Sequence, residues 1–233
     1  STGVVTLSPA AGTGATLDAS ASGFLDRATL LGSVGALTLW EIPAGVDANF
    51  VRMLVYNRAG TPEVLWRPTA VAVYLRLVGD LANDPEVRAA HVRAAAMARA
   101  MTGGKVNVVL GDPVGGSVVV TLVVNASNQI PATTFITQSG GAISLARVEY
   151  ADIASARNPR VAAHELGHVL GFGHAPSGFM CPTACGVDDF GPVEQAVYFS
   201  MLLRAPGTVP FDNDRPLGAR SADSVAVFAC DVR

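Results

Sequence analysis

The segment "HELGHVLGFGH", residues 164–174, holds three of the chain's four histidines within eleven of its 233 positions. Helical residues four apart project from one face, one turn above each other. His164 and His168 are therefore aimed at a single point. A catalytic zinc takes three protein ligands and keeps a fourth position open for water. His174 supplies the third only if the chain reverses sharply after the helix, and Gly171 permits that reversal because glycine enters positive φ cheaply. Glu165 follows the first ligand, so its carboxylate is displaced around the helix from the metal. It is placed as a base toward water, not as a ligand.

The rest of the chain is consistent with a soluble enzyme. Half of the residues are hydrophobic and 15% are charged, enough apolar material for a sizeable core and too little polarity for disorder. A net charge of −3 and the absence of Lys or Arg runs argue against a nucleic-acid partner. Apolar stretches such as "SVVVTLVV" fall well short of the roughly 20 residues of a spanning helix, so no membrane partner is expected. Lys105 is the only lysine among the basic residues, a skew that suggests a GC-rich bacterial genome. The opening "STGVV" has no charged region followed by an apolar one, so the expectation is that any secretion signal has been removed or lies outside this sequence.

Turn signals divide the chain into three parts. Residues 1–66 carry short apolar runs ("GVVTL", "ALTLWEI", "VRMLVYN") and read as a β-rich accessory segment integral to the fold, or else a substrate-binding accessory or a pro-region in which Asp18, Asp26 or Glu41 could cover a metal. Residues 67–204 form the expected catalytic domain, with a first subdomain ending at about 171, and 205–233 form a turn-rich extension. Within the middle part a strand is expected at 69–78 and a helix at 84–101, with Asp84 as N-cap and Pro85 in the first turn. "KVNVVLGD" and "SVVVTLVVN" read as a hairpin across "PVGG", followed by strands in "TTFITQ" and "AISLARVEYA". Asn158 and Pro159 open the histidine helix, and Asp188 or Asp189 opens the last one through "PVEQAVYFSMLLR".

The uninterrupted pattern of His164, Glu165, His168, Gly171 and His174 resembles that of the metzincins, a clan of zinc peptidases. Met180 in "SGFMCP" lies where the clan's Met-turn falls beneath the metal. "GVDDFGPVEQAVY" is similar to the start of the C-terminal helix in matrixins, although Ala175 stands where matrixins usually have serine and the spacing to Met180 is short. The resemblance implies an α+β zincin fold, a twisted, mostly parallel sheet with an active-site helix and a small C-terminal subdomain. It also implies a monomeric, secreted zinc endopeptidase with one catalytic zinc, hydrolysing protein or peptide substrates through a zinc-activated water. Glu165 would be the base and His164, His168 and His174 the ligands. Substrate would pair with the edge strand around Thr134, Phe135, Ile136 and Thr137. Pro182, Val193 and Val197 would wall an apolar pocket for the residue after the cut bond. No cysteine precedes the catalytic part, so thiol latency of the matrixin kind is not expected.

Other readings stay open. A structural zinc site needs a fourth protein ligand, and Cys181 is the near candidate in sequence. Asp188 and Asp189 could hold calcium, but capping and the helix dipole account for them. His91 reads as an ordinary core or surface histidine. Three cysteines allow one disulfide; Cys185 with Cys230 is favoured over Cys181 with Cys185 because a longer loop constrains the unfolded chain more. A metzincin-like shell that binds without hydrolysing, or a zinc amidase acting on cell-wall material, are the alternative functions.

Overall fold

The computed structural model describes residues 16–25, 27–30, 39–56, 65–183, 185–207 and 224–230. The chain is α+β, built on one mixed seven-stranded sheet. Before that sheet come two small antiparallel pairs: β1 (Thr16–Ala19) with β3 (Arg27–Leu30), and β2 (Phe24–Leu25) with β4 (Trp40–Glu41). Helix α1 (Ala48–Tyr56) occupies the run expected to be a strand. Asp47 explains the difference: its Oδ1 accepts from Phe50 N at 2.7 Å and caps the helix. From there Phe50, Val51, Leu54 and Val55 bury one helical face, a period invisible in "VRMLVYN" taken alone. "GVVTL" and Asp26 lie outside the described residues, as does the side chain of Asp18. Glu41 is exposed.

The main sheet comprises β5 (Arg67–Pro68), β6 (Ala72–Leu77), β7 (Asn107–Leu110), β8 (Val118–Val124), β9 (Ala132–Ser139), β10 (Ala142–Tyr150) and β11 (Ser224–Cys230). Its order is β11-β9-β10-β8-β6-β7, with β5 beside β10. β6 pairs in parallel with both β7 and β8, β8 with β10, and β10 with β5, while β9 runs antiparallel to β10 and to β11. The expected hairpin of β7 and β8 does not form, since the two flank β6. A four-residue β7 cannot cover the Val-rich β8, which is instead paired on both edges, the setting that suits a near-continuous β-branched run.

Helix α2 (Pro85–Met101) is capped by Asp84, which accepts from Glu86 N and Val87 N. A short α3 (Ile153–Ala156), capped by Asp152, precedes α4 (Pro159–Val169), whose cap is Asn158. α2 packs on α4, and α4 lies over β9 and β10. Val73, Leu75, Val120, Leu122, Ile136, Ala146 and Val148 form the buried side of the sheet. The last helix, α5 (Pro192–Leu202), is capped by Gly191, not by Asp188 or Asp189. Glu194 reaches back from the third helical position to Gly191 N at 2.9 Å, while both aspartates stand exposed. The tail expected to be turn-rich contains β11, an added strand on the edge of β9. Among the described residues no helix is long and apolar enough to cross a membrane.

Candidate metal centre

Helix α4 presents His164, Glu165 and His168 from its buried face. Gly171 then turns the chain at φ 108°, and a Cβ there would collide with the carbonyl oxygen of Trp66. The turn brings His174 back beside the helix. The three imidazole rings stand with centroids 4.8–5.6 Å apart. His164 Nδ1 donates to Phe179 O at 3.0 Å and His168 Nδ1 to Phe172 O at 2.9 Å. Each bond fixes a tautomer that leaves Nε2 with its lone pair facing inward.

His164 Nε2 is fully buried with no hydrogen-bond partner. A buried polar atom without a partner is costly, and a metal ion at this point would satisfy it. Burial holds His164 neutral, lowering its pKa to about 3, the protonation state a ligand needs.

The fourth donor comes from the far end of the chain. Cys230 Sγ lies 3.1 Å from His168 Nε2 and 3.2 Å from His174 Nε2, and the ligand atoms of His164, His168, His174 and Cys230 all fall within 4.8 Å of one another. Neighbouring donors of a tetrahedral zinc site stand about 3.4–3.6 Å apart, so this set can hold one metal ion. Among the described residues it is the one such cluster of three or more His, Cys, Asp or Glu. Burial, and after it the Glu165 carboxylate, push the Cys230 thiol well up in the absence of a metal. Glu165 is completely buried beside the cluster, and burial raises its pKa to about 7 against the opposing hydrogen bond from Thr134 Oγ1.

Met180 packs under α4. A Cβ on Gly167 would strike Met180 Sδ, which explains the glycine between the two helical histidines. Ala175 N donates to Met180 O at 3.0 Å and closes the turn. Glu194 Oε1 accepts from Phe179 N at 3.0 Å, tying that turn to α5.

Several expectations need correction. Cys181 is bonded to Cys185, so it is not a metal ligand, and Cys185 does not pair with Cys230. A five-residue excursion brings the first two together with Cα atoms 6.1 Å apart, whereas Cys230 is carried away on β11. β9 is not an exposed edge, because β11 covers it from Ala132 to Gln138. Thr134 faces the interior and holds Glu165, Ile136 is buried, and Phe135 and Thr137 are half-buried. Val197 is buried in the hydrophobic cluster and offers no surface to a substrate, while Val193 and Pro182 are partly exposed. Among the described residues, Asp188 and Asp189 belong to no cluster of three or more metal-ligating side chains. His91 is a buried bridge between Val87 O and Tyr150 Oη, at 2.8 and 2.9 Å.

Sequence reasoning missed Cys230, Phe228 and Glu194. A cysteine left over after one disulfide, at the end of the alternating run "SVAVFAC", was the available signal for the first two. Compared with models of known protein families and with curated proteins, the chain gives no match.

Proposed function

We propose that the chain is a zinc-dependent endopeptidase of the metzincin type, matrixin-like and secreted. The observation that carries this reading is the convergence of His164, His168 and His174 with Glu165 buried alongside them. Zinc held there would supply Lewis-acid polarisation of a peptide carbonyl and acidify a water. Glu165 moves the proton, taking it from the attacking water and returning it to the leaving amine. Thr134 Oγ1 fixes one carboxylate oxygen, so the base keeps its orientation through both transfers. The β9 edge orients the substrate. β11 supports this use of the edge, since an extended segment already lies antiparallel along it with Phe228 opposite Thr134 and Cys230 opposite Ala132. The peptide backbone is thereby carried past the histidines.

A second reading, a closed structural metal site, has Cys230 in its favour, because a fourth protein ligand is what such a site needs. Glu165 weighs against it. A purely structural site gains nothing from a buried carboxylate next to its ligands. Zinc-loaded full-length protein and its Cys230→Ser variant should be incubated with casein, with and without a chelator. Chelator-sensitive cleavage by either is the expected result; its absence from both would leave the structural site as the function of the cluster.

A further inference from the structure

We propose that this chain is latent by its own C-terminal strand: Cys230 is the fourth ligand of the metal held by the three histidines, and β11 fills the slot that a substrate strand would take. This rests on the peptidase reading above and adds its regulation. Three separate features required for hydrolysis are covered by one seven-residue segment. The β9 edge is paired from Ala132 to Gln138, register by register, with Ser224–Cys230. Cys230 Sγ stands against two of the three ligand nitrogens, where a catalytic site keeps its open position. Phe228 stacks on His168, with ring centroids 4.2 Å apart and planes 13° from parallel, closing the face of the imidazole that β11 passes.

The segment's own pattern is made for this place. Phe228 and Cys230 are buried, whereas Val227 and Ala229 are exposed, the alternation of a strand with one face on the site. Cys181 and Cys185 are occupied with each other, so Cys230 is the thiol left for the metal. β11 is held by two grips of different kind, a backbone ladder and a sulfur–metal bond. Loss of the sulfur bond leaves a single edge strand in competition with substrate for the same ladder.

The test uses the full chain with cobalt in place of zinc, followed by casein cleavage by the zinc form. The parent protein is expected to show a sulfur-to-cobalt charge-transfer band in the near ultraviolet. The Cys230→Ser variant should keep one metal per chain and lose the band. It should also cleave casein faster by about tenfold or more, because a closed population exceeding nine-tenths reduces apparent substrate binding in that proportion. A parent with no such band that cleaves casein as fast as the variant overturns the latency and leaves the peptidase reading standing. A band that disappears in the variant, with no cleavage by either protein, overturns both readings. Should Cys230→Ser fail to fold, Phe228→Asp provides a second way to expel the strand, with the same expectations for casein. A synthetic peptide of residues 224–230 should inhibit the opened variant more strongly than the same peptide ending in serine; equal inhibition by the two would overturn the metal–sulfur contact.

Discussion

At the level of single residues, the site depends on side chains that are buried without charge partners. Glu165 is hydrogen-bonded by Thr134 and by the Cys230 thiol and otherwise sits in low dielectric. Changing Glu165→Gln in the Cys230→Ser background should leave metal content at one per chain and reduce casein cleavage between about 10²- and 10⁴-fold, the usual worth of general acid–base help. Metal analysis beside initial rates checks it, and undiminished cleavage would remove Glu165 from the chemistry. Gly167 is constrained by packing alone. Gly167→Ala drives a methyl into Met180 and should cost about 1–3 kcal/mol in denaturant unfolding, despite alanine's better helix propensity. His91 is one residue, outside the metal cluster, through which stability should respond to mild acid. Desolvation lowers its pKa from 6.5, only partly offset by the Val87 carbonyl, so the folded protein keeps it neutral while the unfolded chain protonates. Its contribution is therefore complete above about pH 6.5 and is lost as pH falls through the lowered folded value. In metal-free protein, where the ligand histidines contribute equally to both proteins, His91→Gln should show a shallower fall of Tm from about pH 7 to 5 than the parent. Parallel curves would assign the acid sensitivity elsewhere.

At the level of elements, α1 belongs to the same hydrophobic cluster as the sheet and the metal-bearing helix. Leu54 is fully buried, and its carbonyl accepts from Gly173 N at 2.5 Å, one residue before the ligand His174. Leu54→Ala should destabilise the whole protein by about 2–5 kcal/mol in one cooperative transition, as measured by urea unfolding. A separate early transition would instead mark residues up to 56 as an appendage. The elements that the sequence made legible were those with local signatures. Asp84 with Pro85 and Asn158 with Pro159 announced α2 and α4, and the spacing of His164, His168 and His174 announced the cluster. Pairing across distance was not legible. Whether β8 turns back on β7 or joins β6 and β10 depends on which neighbours need covering, and no short window contains that information. Cys230 was hidden for the same reason: it stands 56 residues from His174 and reaches it only through the β9 ladder.

For the whole molecule, metal and fold should be thermodynamically linked, because four donors drawn from α4, the turn after it and the last described strand meet only in the folded chain. Free zinc at a hundred times its dissociation constant should add about 2.7 kcal/mol of stability, and a chelator should remove it, visible as a fall in Tm. A melting curve indifferent to both would mean that the cluster binds no metal in solution. The same strand that completes the cluster also governs how the molecule behaves toward its own copies. With β11 in place, β9 is an interior strand; with β11 released, β9 becomes the boundary of the sheet, and the amide and carbonyl groups that had faced β11 are bare while those facing β10 stay paired. Bare strand edges recruit other chains, and this one has no Lys and no Pro from Ala132 to Ser139 to discourage them. Opening should thus carry a colloidal cost: the released protein stays dispersed while substrate occupies the edge and clumps as substrate runs out.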